Sequence, residues 1–254
     1  MKGILKRFFY KQRARKVADF YDNWSEKFLT ITDTFQGFRT ENIEDLHRYT
    51  IKSASLSDGD IILDAGCGVG GPAFYFAGNL NSEVYAFTNS KEQTRIISSR
   101  KEKERIKNLH VVRGDYHELS KNFQPDFFTH VLFLESLGHS YNPKKALNES
   151  CRVLRKGGVL YIRDVFRVKT DSQELAEKIR KLVNRANDTF IYNHLPVDLF
   201  IKFLESMGFR IDYCRPPNFV FKSIDEEFEK KLGIPSTKGP IAFIEPLEVR
   251  AVKK

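Results

Sequence analysis

The sequence predicts an α/β fold, a doubly wound and mainly parallel sheet with helices on both faces, and two observations predict it. Between residues 60 and 166, apolar runs of strand length alternate with charged stretches of helix length. The first run, IILDAGCGVGG at 61–71, carries Asp64 and then turns through Gly66, Gly68, Gly70 and Gly71. A buried strand that feeds a glycine loop and a helix is where an open α/β sheet takes a nucleoside ligand. Residues without Cβ tolerate positive φ and let the backbone approach a ligand closely.

Taken in order, residues 2–20 read as a basic amphipathic helix with Ile4, Leu5, Phe8, Phe9 and Val17 as its apolar set. Such a helix either packs its stripe on the domain or lies on an anionic membrane surface through residues 2–17. It lacks the long apolar centre of a secretory signal and the serine-rich character of a transit peptide. FYDNWSEKF at 20–28 and the stretch from 34 to 56 read as a loop followed by a helix, rich in aromatics: Phe20, Tyr21, Trp24, Phe28, Phe35 and Phe38. After the glycine loop, 72–80 is the first flanking helix, with Pro72 acceptable in its first turn. Strands follow at 84–89, 109–115, 128–135 and 159–166, with helices at 91–106 and 143–154 and a turn at Lys156, Gly157 and Gly158. The alternation pauses at a charged helical stretch, 171–186, within a candidate substrate cap at 171–200. It resumes with a helix at 197–209 and two closing strands, FRIDYCR and PIAFIEPLEVRAV, around a helical 223–233. The expected division is 1–56 as a basic helix and aromatic lid, and 57–254 as the main domain.

Composition excludes several classes. At 254 residues, 41% hydrophobic and 30% charged, the chain suits a soluble globular protein with a proper core. No apolar run approaches the roughly 20 residues of a membrane span. Cys67, Cys151 and Cys214 are odd in number and widely spaced, as expected of reduced thiols in a cytoplasmic protein, not of a disulfide framework or zinc site. The net charge is +9, yet Lys2, Lys6, Arg7, Lys11, Arg13, Arg15 and Lys16 contribute +7 of it and leave +2 for the rest. That concentration, with no RNA-binding module, argues against a nucleic-acid partner. None of the six histidines pairs with acids at ligand spacing, so no metal is expected.

Gly66, Gly68 and Gly71 also fit the dinucleotide fingerprint, so their spacing leaves a nicotinamide cofactor and S-adenosylmethionine both open. Asp64 decides between them, because a carboxylate there would hold an ammonium and repel a pyrophosphate. The string resembles motif I of the seven-stranded, Rossmann-like S-adenosylmethionine-dependent methyltransferases, and the likeness extends over about residues 60–165. The resemblance implies strand order 3-2-1-4-5-7-6, an N-terminal helical lid over the cofactor, and S-adenosylmethionine as that cofactor. It places Asp64, Gly66, Cys67 and Gly68 on the methionine side. TNSKEQ is similar to the Thr, any residue, Ser, two residues, Gln string of cyclopropane fatty acid synthases and tocopherol methyltransferases, which implies Thr88, Asn89 and Gln93 on the ribose side. Most methyltransferases of this class carry an acid there; otherwise Asn89 or Ser90 simply caps the next helix. Asp115 would accept from the adenine amino group and Tyr116 would cover the ring, with Leu134 completing the set; a plain capping aspartate is the other reading of Asp115.

The end of the fourth strand, HVLFLESLGHSYNP, resembles the segment of sterol and geranyl diphosphate C-methyltransferases that carries a Glu directly after the strand. The sterol enzymes also have a His four residues later. The likeness implies Glu135 as the group that stabilises a carbocation, with Tyr21 and His139 as helpers. Trp24, Phe38 and His194 are the expected acceptor-side residues. The function so implied is methylation of a small-molecule acceptor, favouring carbon in an isoprenoid-like or lipid-like substrate, with amine, phosphobase or hydroxyl acceptors as the alternative.

Overall fold

In a computed structural model, the structure describes residues 2–29, 42–167, 177, 195–220 and 244–254. The charged helix expected at 171–186, the helix at 223–233, and Phe35, Phe38 and His194 lie outside them.

Helix α1 (Lys2–Leu29) precedes α2 (Ile43–Ala54). The alternating body follows as β1 (Ile61–Ala65), α3 (Gly71–Asn79), β2 (Glu83–Thr88), α4 (Lys91–Glu104), β3 (Leu109–Arg113), β4 (Phe128–Leu134), α5 (Pro143–Val153) and β5 (Leu154–Arg167). The chain closes with α6 (Val197–Ser206), β6 (Phe209–Arg215) and β7 (Ile244–Lys253). The seven strands form one sheet in the order β3-β2-β1-β4-β5-β7-β6. Strands β1 to β5 pair in parallel, whereas β7 runs antiparallel between β5 and β6. The strand order reverses between β1 and β4, which opens a crevice beyond their carboxyl ends.

The central strands of the sheet are buried on both faces. Leu63, Val131, Phe133, Leu160 and Ile162 pack into one apolar layer, and Ile62, Ala86, Leu132 and Tyr161 into the other. Strands covered on both sides must be apolar throughout, which is why they read so plainly in the sequence.

Two boundaries differ from expectation. Helix α1 continues to Leu29, through the stretch expected to be a loop. No Pro or Gly interrupts residues 4–29, and Ser25 satisfies its hydroxyl by donating to the Tyr21 carbonyl one turn back at 2.6 Å. The turn expected at 156–158 is instead a bulge within β5. Pairing with β4 jumps from Phe128–Leu154 to His130–Val159, and Gly157 takes φ 75°.

Candidate active site

The cleft at the switch point is walled by the glycine loop, the ends of β2 and β4, residues 115–117, the turn at 136–141, and Ala14, Val17 and Tyr21 of α1. Its empty space, counted out to the mouth and so including open solvent, is about 850 Å³.

The loop is shaped by contacts only glycine permits. Gly66 sits at φ 84°, and a Cβ there would lie 2.6 Å from Ser136 Cβ. The Gly66 and Cys67 amides donate to the Phe87 carbonyl at 2.8 and 3.1 Å, and the Ser136 hydroxyl donates to the Ala65 carbonyl at 2.5 Å. The ends of β1, β2 and β4 are thereby tied together. Asp64 is 1% exposed and neither carboxylate oxygen has a hydrogen-bond partner. Burial pushes its carboxyl up to about 7, against a pull downward from Arg163.

The residues expected on the ribose side meet at the cleft, and the structure divides their hydrogen bonds among different partners. Thr88 donates to Gln93 Oε1 at 2.6 Å, Gln93 Nε2 is buried without a partner, and all of Thr88, Asn89 and Gln93 line the cleft. Ser90 is the cap of α4, accepting from the Gln93 amide at 3.0 Å. Asn89 turns to α1, donating to the Ala14 carbonyl at 3.3 Å.

Asp115 caps the short helical turn at 116–121, as the capping reading has it, and it also lines the cleft. Its Oδ1 accepts from the His117 backbone amide at 2.9 Å and faces His117 Nδ1 at 2.5 Å, and its Oδ2 accepts from Tyr141 at 3.0 Å. Burial raises its carboxyl, but these partners outweigh that and hold it below the ordinary range. Tyr116 lines the cleft with its hydroxyl donating to the Ser136 carbonyl at 3.1 Å. Leu134 and Cys67 also line it.

Glu135 stands directly after β4 in the left-handed region at φ 59°, a conformation that costs a residue with a Cβ about 1–3 kcal/mol. Two contacts to β5 hold it there. Its amide donates to the Arg163 carbonyl at 2.7 Å, and Oε1 lies 3.9 Å from Arg163 Nη2. The Tyr21 hydroxyl is hydrogen-bonded to His139 Nε2 at 2.7 Å, so α1 and the turn after β4 meet over the cleft. Burial, and then the charges of Glu135 and Asp164, drive the Tyr21 phenol far above its usual range and keep it protonated. The structure thus brings Tyr21, Glu135 and His139 to one wall. Trp24 is different: it stacks on Phe20, ring centres 5.9 Å apart, and is not among the residues lining the cleft.

Sequence reasoning missed Asp22, Arg163 and Asp164. Asp22 of α1 accepts from the Ser90 hydroxyl at 2.5 Å and the Glu92 amide at 3.0 Å, capping α4 from another element. Asp164 accepts from the Gly138 amide at 3.1 Å and its carboxyl is raised by burial to about 7. A charged pair inside the apolar run VLYIRDVF was the available signal, because such residues are rarely buried without a task. Among the described residues no cluster of His, Cys, Asp and Glu could hold a metal ion.

A seven-stranded doubly wound sheet with its cleft at the switch point, a glycine loop after β1 and a buried carboxylate at the end of β4 define the class of Rossmann-like S-adenosylmethionine-dependent methyltransferases. Residues 56–213 match the methyltransferase domain family, and the chain belongs to that family. Among curated proteins it is similar to (S)-coclaurine N-methyltransferase of Thalictrum flavum subsp. glaucum, 27% identical over 57% of this chain and 34% of that protein. It is also similar to the sterol 24-C-methyltransferase of Pneumocystis carinii, 26% identical over 56% of this chain and 38% of that one. The chain spans about a third of the length of these relatives. Among solved structures, the cyclase SpnF superposes with a TM-score of 0.78 at 17% identity, covering 94% of this chain and 96% of that one. The geranyl diphosphate C-methyltransferase of Streptomyces coelicolor A3(2), in complex with Mg2+, geranyl diphosphate and S-adenosyl-L-homocysteine, does so at 0.70 and 15% identity, covering 95% and 98%. These likenesses establish the fold.

The residues present fit S-adenosylmethionine. Asp64 is a buried carboxylate with both oxygens unpartnered, matched to an ammonium. The wider neighbourhood holds three buried carboxyl groups, Asp64, Glu135 and Asp164, against one buried guanidinium, Arg163. Such a balance suits a ligand that brings positive charge into a low-dielectric site.

Proposed function

We propose that this protein transfers a methyl group from S-adenosylmethionine to a carbon of an isoprenoid-like or lipid-like acceptor. The observation that carries the reading is Glu135: a buried carboxylate kept in a strained backbone conformation at the carboxyl end of β4, facing the cleft. Strain of this kind persists where the surrounding structure enforces it, and it clusters at working sites. The likeness to sterol and geranyl diphosphate C-methyltransferases supports the same acceptor class.

The cofactor supplies an electrophilic methyl carbon on a sulfonium. Asp64 would anchor its ammonium, Thr88 and Gln93 its ribose, and Asp115 its adenine. Helix α1, set across the cleft by the Tyr21–His139 hydrogen bond, excludes water from the reacting atoms. Methylation of an alkene carbon would leave positive charge on the acceptor. Glu135 stabilises that charge, and Glu135 or His139 accepts the proton whose loss restores the double bond. Tyr21, protonated and on the cleft wall, holds His139 in place through their hydrogen bond.

A second reading, N-methylation of a small amine, is favoured by the likeness to coclaurine N-methyltransferase and by the same excess of buried carboxylates, which would hold an ammonium. The test is transfer of labelled methyl from S-adenosylmethionine to prenyl diphosphates, sterols and small amines. Label in an isoprenoid or sterol carbon is expected; incorporation confined to amines overturns the carbon reading. Failure to bind S-adenosylmethionine by calorimetry removes both.

A further inference from the structure

Arg163 is the least explained charge in the molecule. It occupies the middle of β5 opposite Leu134, is 0% exposed, and is not on the cleft wall. Its Nη1 donates to Thr50 of α2 at 2.6 Å, while Nε and Nη2 are buried without a hydrogen-bond partner. A guanidinium in that state is expensive to bury unless a charge compensates it. Glu135 Oε1 is 3.9 Å from Nη2, and the Arg163 carbonyl receives the Glu135 amide. One residue therefore grips Glu135 twice, by backbone and by charge, from outside the cleft wall.

We propose that Arg163 is a positioning residue that acts through Glu135, holding its carboxylate ionised and turned into the cleft. This rests on the role assigned to Glu135 above. Thr50 fixes the other end of the guanidinium, and its own hydroxyl donates to the Leu46 carbonyl at 2.8 Å, so α2 braces the arrangement. His47, beside it, is lowered to about 4 by burial and by Arg163, and so adds no competing positive charge at neutral pH. Among the described residues, the other titratable groups of this neighbourhood are Tyr21 on α1, Asp64 at β1, Cys67 in the glycine loop, Tyr116, His139 in the turn, and Tyr161 and Asp164 on β5. Since Arg163 also pulls on Asp64 and Asp164, a shift in an activity profile alone does not single out Glu135, and a site-specific titration is required.

The experiment compares wild type with Arg163→Met, Arg163→Lys, Glu135→Gln and the Glu135→Gln/Arg163→Met double variant. In the free protein, the Glu135 side-chain carboxyl is titrated by 13C NMR, with Glu135→Gln identifying its signal. An opposite charge at this range lowers a carboxyl by roughly one to three units. Arg163→Met is therefore expected to move the Glu135 midpoint up by about one unit or more, and Arg163→Lys to restore most of it. In turnover, Arg163→Met should lower kcat more at pH 6 than at pH 8, with little change in acceptor KM. Adding Arg163→Met to Glu135→Gln should cost almost nothing further, since the partner is already gone. If Arg163→Met does not fold, the lysine variant and the double variant, whose buried charges are removed together, decide the matter. An unmoved Glu135 titration in a folded Arg163 variant, or additive losses in the double variant, overturns the proposal. If Glu135→Gln keeps wild-type kcat, the carbon-methylation reading falls, while the titration still decides whether Arg163 holds Glu135.

Discussion

Replacing Asp64 with Asn should make the cofactor-free protein more stable while it loses its ligand. The carboxyl is fully buried, without hydrogen bonds, and titrates at about 7 against an ordinary 3.8. A group whose folded value lies above its unfolded value destabilises the fold once ionised. The penalty is absent below about pH 4, grows from there to pH 7 and is complete above it. At 1.36 kcal/mol per unit, the difference corresponds to about 4 kcal/mol at pH 8, a ceiling because the Asn amide is itself costly to bury. Even a quarter of that figure, about 1 kcal/mol, shifts melting by roughly 2–4 °C in a chain of this size. Thermal melts of wild type and Asp64→Asn without ligand, from pH 4.5 to 8.5, should show the variant melting higher at pH 8 and the gap closing as pH falls. Calorimetry with S-adenosylhomocysteine should show affinity reduced by about 10- to 100-fold, as for loss of a charged hydrogen bond. A variant that melts at or below wild type at pH 8, or a gap indifferent to pH, would refute the reasoning about Asp64.

Asp22→Ala removes the cap that α1 lends to α4; with a cap worth about 1 kcal/mol, amide exchange in α1 should quicken about fivefold and cofactor dissociation should speed up similarly, with sheet protection unchanged. Gly66→Ala places a Cβ 2.6 Å from Ser136 Cβ at φ 84°, and should destabilise by about 1–3 kcal/mol, read as a lower urea midpoint at constant slope.

The sheet and the loop were legible because the physics that forms them is local. Strands covered on both faces leave unbroken apolar runs, and a backbone at positive φ beside Ser136 demands Gly66. Glu135 was legible for the opposite reason, as a charge set where the apolar run of β4 stops. What escaped depends on pairings over long sequence separations. Asp22 and Ser90 are 68 residues apart, and Arg163 and Thr50 are 113 apart. Asp22 looks like any polar residue in a surface helix, and only docking on α4 gives it a partner. Arg163 and Asp164 stood visible inside β5, but the strand pattern around them was strong enough to absorb them as ordinary strand residues. The extent of α1 was obscured because Asp22, Asn23 and Ser25 weaken helix propensity, and tertiary contacts with α4 supply what propensity does not.

The placement of Tyr21 and Asp22 on the first helix sets that helix over the cleft. Among the described residues the helix is held there by side-chain bonds at Ser90, Glu92, Asn89 and His139 and by no strand pairing, so loosening it would leave the seven strands paired. Substitutions at Asp22, which bonds α4 and does not line the cleft, are therefore expected to change residence time more than chemistry, whereas Tyr21 bears on both.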